Sequence, residues 1–353
     1  MNALGSLLHR PEPVQALLAG AHQAFSTRRV PRERLRQLLP GPAHPQAGDL
    51  LLAEVTALGQ HRNVELCSGR KAGLAVGDRL ILAYGNRYAP DQFEALVPDD
   101  LGPCDLIAGG GLASREVARH AAMNAPTRLR PLGRLGDGQG RALNLADFAL
   151  PPLPQPPPAV PVWVVCGTSM NAGKTHTAAM LIRGLRAGGR RVVACKLTGT
   201  GAGNDLWKMR DAGAERVLDF ADAGYASTYR VPLPGLIAAS LRLLDHASAG
   251  ADAVVAEIAD GLGQAETAGL LRSDALRRRL SGVLFAAGDP LGAAAGVRWL
   301  REAGLPVRAC SGVFTAEAQG REEAAGLIDL PVLRDTELAQ PDIAQRLAAV
   351  VAR

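Results

Sequence analysis

The stretch Val162-Trp-Val-Val-Cys-Gly-Thr-Ser-Met-Asn-Ala-Gly-Lys-Thr-His-Thr177 leaves few folds open to this chain. Val162 to Val165 form an apolar run suited to a central parallel strand, which is covered on both faces. From Gly167 to Thr175 the chain is close to the phosphate-binding loop pattern G-x-x-x-x-G-K-[ST], with one extra residue between the glycines. Gly167 and Gly173 permit backbone angles that a side chain would forbid. Such a turn aims successive N–H groups, and the positive end of the following helix, at one point where a phosphate can sit. Gly167, Thr168, Ser169, Met170, Asn171, Ala172, Gly173, Lys174, Thr175 and His176 are therefore the expected nucleotide-binding residues. Lys174 brings a compact charge to the outer phosphates, and the Thr175 hydroxyl can ligate Mg²⁺.

Strands and helices alternate from this point onward. Strands are expected at 162–166, 191–196, 253–257, 282–286, 307–310 and 331–333, with helices rich in Ala, Leu and Arg between them. This predicts an α/β fold over 159–353, a doubly wound, mostly parallel sheet. Composition agrees: 47% of residues are hydrophobic but only 4% aromatic, so the core is built of Ala, Val and Leu. Ligands of open parallel sheets gather at the carboxyl ends of strands. Lys196, Thr198 and Thr200 leave such an end, where a cation and hydroxyls can clamp a phosphoryl or acid group. Asp205 follows, either as a metal ligand or as a helix N-cap. Glu257 ends an apolar strand, an arrangement that holds Mg²⁺ directly or through water. Asp260 fits a ligand, a base or an Asp-Gly turn; Asp289 lies at the same sheet edge or forms a plain Asp-Pro turn. Lys174, Lys196 and Glu257 are the expected catalytic residues, and Thr175, Asp205 and Glu257 the expected metal ligands.

Together these features resemble the dethiobiotin synthetase and cobyrinic acid amide synthetase group of P-loop proteins. The five residues between Gly167 and Gly173, Lys196-Leu-Thr-Gly199, Asp205, and Glu257 before Ile258-Ala-Asp-Gly-Leu-Gly263 carry the resemblance, over about 160–335. It implies a Mg-ATP-dependent enzyme, ligase/synthetase or kinase-like, that phosphorylates or activates a small-molecule substrate at a carboxylate. It also implies a base site near Ser311-Gly-Val-Phe314 and Leu330-Pro-Val-Leu333, and a homodimer. The loop lacks the second lysine of the partition and septum-positioning ATPases. No N-K-x-D guanine signature occurs, which favours ATP over GTP. The competing reading is a nucleotide-switch or accessory ATPase or GTPase acting on a partner protein.

Pro151-Pro-Leu-Pro-Gln-Pro-Pro-Pro158 divides the chain. It favours an extended polyproline spacer between a module at 1–150 and the nucleotide domain at 159–353. Within 1–150, helical spacings at Val14–Gly20 and Pro31–Leu39, the second ended by Pro40, Pro42 and Pro45, suggest a docking arm. Short strand-like runs at 49–56, 63–66 and 78–84 suggest a small antiparallel barrel or sandwich, so this module reads as β-rich α+β. Tyr84-Gly-Asn-Arg-Tyr-Ala-Pro-Asp91 fits a substrate-reading loop or an ordinary hairpin end. Cys104 to Arg115 reads as a strand, a triple glycine and a helix start, in which Ser114 or the glycine N–H groups form an anion site or only a tight turn. His120 then reads as a structural residue or a solvent-facing helix residue, and a strand pair from Pro131–Leu135 to Arg141–Phe148 closes the module. The resemblance has no counterpart for this module, which could wall a second-substrate pocket.

The net charge of +5 comes from Arg; only Lys71, Lys174, Lys196 and Lys208 are lysines. A chain that uses Arg almost everywhere is expected to keep Lys where a flexible point charge is needed. The Arg clusters at Arg28-Arg29, Arg32–Arg36 and Arg277–Arg279 have no interleaved aromatics, so they read as solvated helix faces rather than a nucleic-acid surface. Five scattered cysteines without C-x-x-C argue against a disulfide framework or a zinc site, and Cys166 and Cys195 read as buried small hydrophobes. No apolar run approaches the roughly 20 residues that span a bilayer. Met1 to Arg10 lacks the charged-then-apolar order of a signal peptide. A cytoplasmic protein without a membrane partner is expected.

Overall fold

Six strands carry the motif-bearing half: β1 (Val162–Gly167), β2 (Val192–Lys196), β3 (Arg216–Asp219), β4 (Ala253–Glu257), β5 (Gly282–Ala287) and β6 (Val307–Gly312). The computed structural model describes residues 13–41 and 44–350. The Met1 to Arg10 reading and Pro42 therefore lie outside the described residues. The strand order is β3-β2-β4-β1-β5-β6 and each pairing is parallel. Every residue of β1, β2, β4 and β5 is buried. Helices on both faces explain these unbroken apolar runs. Val164 and Cys166 face one core with Leu243 and Leu244; Trp163 and Val165 face the other with Leu181 and Ile182. Cys166 and Cys195 are buried, and the five cysteines are free.

The expected strand at 331–333 is not formed; Val332 makes only an isolated bridge to Cys310. The sheet instead ends on β3, whose Arg216-Val-Leu-Asp219 is too short to show a period. Pairing register assembles the site. Lys196 on β2 and Val165 on β1 both lie level with Glu257 on β4, and Gly167 lies level with Ala286. A cation, a carboxylate and the loop thus leave the same sheet edge side by side.

The other half contains a nine-stranded sheet. Arg79–Tyr84, Leu50–Ala57, Thr127–Gly136, Cys104–Ala108 and Leu112–Arg119 pair in turn, and the last returns to Arg79–Tyr84, so five strands close a ring. Of the expected antiparallel barrel or sandwich the ring is a barrel, but the pair that closes it, Leu112–Arg119 with Arg79–Tyr84, is parallel. Alternation sorts the side chains: Leu51, Ala53 and Val55 pack in one cluster, Leu50 and Leu52 in another. Four expectations are corrected here. Leu112–Arg119 is a strand of a hairpin turned at Gly111 (φ +100), not a helix start, and His120 follows that strand. Pro31–Leu39 is a short 3₁₀ turn, Arg32–Arg34, and then a strand, Gln37–Leu39, paired with Arg134–Gly136. Pro131–Leu135 belongs to one long strand, Thr127–Gly136. Leu145–Phe148 is a 3₁₀ turn capped by Asn144, whose side chain accepts from Ala146 N. Cross-strand pairing won over local helical spacing in the first two cases.

The halves meet over the carboxyl edge of the parallel sheet. Arg28 reaches Asp219 at the end of β3 at 2.5 Å and Asp222 just after it at 2.9 Å. Glu65 accepts from Gly203 N at 2.8 Å and Trp207 Nε1 at 2.7 Å. A Cβ at Gly110 would stand 1.9 Å from the Gly201 carbonyl oxygen, so this approach needs glycine. Among the described residues, no helix is long and apolar enough to cross a membrane.

Candidate functional site

Gly167 ends β1 against the neighbouring strand, where a Cβ would lie 2.6 Å from the Ala286 oxygen. The loop turns through Asn171 (φ 63) and Gly173 (φ 97), both left-handed. Lys174 opens helix α1 (Lys174–Ala187) and donates from Nζ to the Ser169 carbonyl at 2.6 Å. Burial pushes the Lys174 ammonium below the usual lysine range. A phosphate in the loop would favour the charged form, which is how such a loop couples anion and cation.

Thr175 donates to Asp205 Oδ1 at 3.2 Å. Asp205 sits in the first turn of α2 (Asn204–Asp211), with Gly203 at the cap position, so the N-cap alternative is not realised. Its other oxygen accepts from Lys196 Nζ. Lys196 also stands 3.7 Å from Glu257 Oε1, and Glu257 is buried with Oε2 unpartnered. The charges move as this geometry dictates. Burial alone would lower Lys196, but Glu257 and Asp205 hold it above the usual range. Burial works against ionised Asp205, yet Lys196 holds its carboxyl low. Burial pushes the Glu257 carboxyl up despite Lys196. A threonine hydroxyl and two carboxylates, one with an orphaned buried oxygen, form a donor set that fits a hard divalent cation.

The remaining sequence-predicted residues separate. Thr198 donates to the Ala259 oxygen at 2.5 Å and accepts from Ala259 N at 2.8 Å, so it fastens β2 to the loop after β4 rather than clamping a ligand. Thr200 and Asp260 border the cleft, and Asp260 N donates to Gln264 Oε1 at 3.2 Å. Asp289 caps the helix Pro290–Glu302 through Gly292 N at 2.7 Å. His176 borders the same cleft as Lys174 and Thr175, and its Nε2 lies 3.5 Å from the Asp335 carboxylate. Ser114 donates to the Gly85 carbonyl, so it is not an anion donor.

The cleft over this edge has a volume of about 670 Å³, and its far wall comes from the other half. Asp91 accepts from Asn171 Nδ2 at 2.9 Å, which places the Tyr84–Asp91 segment directly on the Gly167–Thr175 loop. Tyr84 itself is buried in the barrel, while Arg87 borders the cleft. All four lysines of the chain, Lys71, Lys174, Lys196 and Lys208, line it. Lys71 and Lys208 are not among the expected site residues; the scarcity of lysine in the chain is the signal that points to them. His61, Arg62 and Gln92 also border the cleft and had no signal at all.

No protein-family model matches the chain, and no curated protein matches it. Among solved structures, it is similar to the signal recognition particle receptor FtsY from Elizabethkingia anophelis (16% identity over 56% of this chain and 66% of that one, TM-score 0.38). It is similar also to the signal recognition particle 54 kDa protein from Aeropyrum pernix in complex with GDP (17%, 58% and 50%, TM-score 0.36). A third is the kinase domain of the Escherichia coli tyrosine kinase ETK (15%, 43% and 66%, TM-score 0.31). The chain spans between half and just under two thirds of these proteins. Likeness this distant bears on neither nucleotide nor substrate.

Proposed function

We propose that the protein is a Mg-ATP-dependent enzyme that phosphorylates or activates a small molecule, at a carboxylate, in the manner of a synthetase. The observation that carries this reading is one cleft, bounded on one side by Lys174, Lys196, Asp205 and Glu257 and on the other by the barrel half, with room beyond the loop. On this reading residues 1–150 and 159–353 are two working walls joined by 151–158.

The chain's own groups suit the chemistry. Loop N–H groups and Lys174 would hold the outer phosphates. Thr175, Asp205 and Glu257 would hold Mg²⁺, which when bound supplies charge neutralisation on the phosphates. Lys196, kept charged by its two carboxylates, would steady negative charge as the phosphoryl group moves. A carboxylate oxygen of the acceptor would bond to the terminal phosphorus while the bond to the bridging oxygen breaks. ADP would leave with that electron pair, and an acyl phosphate would remain. No nucleophilic side chain is needed, because phosphoryl transfer depends on positioning and electrostatics.

Hydroxylamine converts an acyl phosphate to a hydroxamate, which gives a direct assay. Hydroxamate that forms only with ATP, Mg²⁺ and a small carboxylate supports the reading. Turnover that no small carboxylate stimulates, with no hydroxamate, overturns it. A second reading, a nucleotide switch acting on a partner protein, draws on the exposed Val313 and Leu291 close to the loop. Partner affinity that differs between the ATP and ADP states would favour it.

A further inference from the structure

The wall facing the phosphate loop holds a buried charge that no carboxylate of the described chain pairs with. Arg87, on the short strand Arg87–Tyr88, is 6% exposed and borders the cleft. Its Nη1 donates to the Ile107 carbonyl and its Nη2 to Gln92 Oε1 at 2.7 Å. Its Nε is buried with no partner among the described residues. Burial pushes the guanidinium down to about 10, and Asp260 and Asp91 oppose this only from beyond ion-pair distance. His61 offers no compensation. It donates to the same Ile107 carbonyl at 2.8 Å and is kept neutral, pushed down to about 4 by burial and then by Arg87. Arg28 shows the usual arrangement in this same chain, with both Asp219 and Asp222 in reach. Arginine is rarely so buried without an anion, because desolvation of an unpaired charge costs several kcal/mol.

We propose that Arg87, assisted by Lys71, binds an oxyanion of the acceptor molecule, a carboxylate or a phosphate, across the cleft from Lys174. This rests on the reading of the cleft as a nucleotide-dependent enzyme site. Ile107 and Gln92 fix the guanidinium plane, so its remaining N–H groups are held ready for a two-oxygen group. Lys71, exposed at the rim of the same cleft, adds a mobile second charge. The N-terminal half would then choose the acceptor while the parallel-sheet half activates it.

The test uses the full chain saturated with Mg²⁺ and a non-hydrolysable ATP analogue, so that the loop is occupied. Succinate and inorganic phosphate are titrated separately by calorimetry. Saturable binding of either supports the site, and the anion that binds tells the carboxylate source from the phosphate source. Arg87→Gln should weaken that binding at least about tenfold and Lys71→Ala by a few-fold, with analogue affinity within about twofold of wild type. Equal anion affinity in Arg87→Gln and wild type, or no saturable binding of either anion, overturns the proposal. If Arg87→Gln does not fold, wild-type crystals soaked in each anion decide. Density on the guanidinium upholds the site, and its absence there overturns it. If the analogue itself fails to bind, the titration without nucleotide separates the two ideas. Arg87-dependent anion binding then keeps the subsite, while the nucleotide reading fails.

Discussion

On the loop wall, Lys196 is 7% exposed and stands between Asp205 and Glu257. On the barrel wall, Arg87 is 6% exposed and, among the described residues, donates only to a carbonyl and an amide oxygen. Equal burial thus comes with unequal compensation. A buried charge that loses its partner costs about 3–5 kcal/mol, whereas a hydrogen bond to a charged group returns about 1.5–3. The first wall can keep its charges without a ligand. The second carries a standing electrostatic deficit that an anion would relieve.

The largest expected effect tests the loop wall alone. On the proposed reading, Lys174→Ala should lower nucleotide turnover by about 1000-fold or more, because it removes the cation assigned to the outer phosphates. Its melting temperature should hold or rise, since the lost ammonium was buried and depressed. Turnover retained in that variant would falsify the site assignment. Next comes a direct contrast of the walls by urea denaturation. Lys196→Met leaves the buried Glu257 carboxylate facing the half-buried Asp205 and should cost about 3 kcal/mol. Arg87→Met strands no carboxylate and should cost clearly less; equal costs would erase the contrast.

Glu257→Gln should keep nucleotide affinity but lower Mg²⁺-dependent turnover by about 100-fold. Unchanged turnover would move the metal role to Asp260. The smallest effect concerns pH on the barrel wall. His61 is pushed from 6.5 down to about 4, so between these values the unfolded chain binds more protons than the folded one. Stability should therefore fall as pH drops from 6.5 towards 4, by something on the order of 2 kcal/mol from this group. His61→Asn should flatten that part of the stability profile. Arg87→Met should soften it as well, because the guanidinium is one of the two causes. A profile identical in all three proteins would show that His61 is not held neutral by this wall.

Much of the loop wall was legible because its residues are local. Gly167, Gly173, Lys174 and Thr175 follow one another, and Lys196 and Glu257 each end an apolar strand. Asp205 was left between two roles, and only its position in the first turn of α2 separated them. Thr198 looked like a ligand because it leaves the right strand end, but its hydroxyl is taken by Ala259. On the barrel wall local pattern misled. Leu112–Arg119 followed a glycine turn as a helix would, yet it pairs with Cys104–Ala108 and with Arg79–Tyr84. The pairing partners lie far away in sequence or across a turn, and no short-range period announces them.

By itself the sequence determined the strand–loop–helix unit, the parallel sheet around it and the acids at its edge, because each follows from a run of adjacent residues. The tertiary structure decided the rest. It levelled Lys196 with Glu257, closed the barrel, gathered four lysines from across the chain and buried Arg87 with no ion-pair partner among the described residues. Those outcomes depend on strand register, and a slip of one residue would turn every side chain of a strand to its other face. Contacts between distant segments set that register, so the facing of the two walls could not be read from either wall alone.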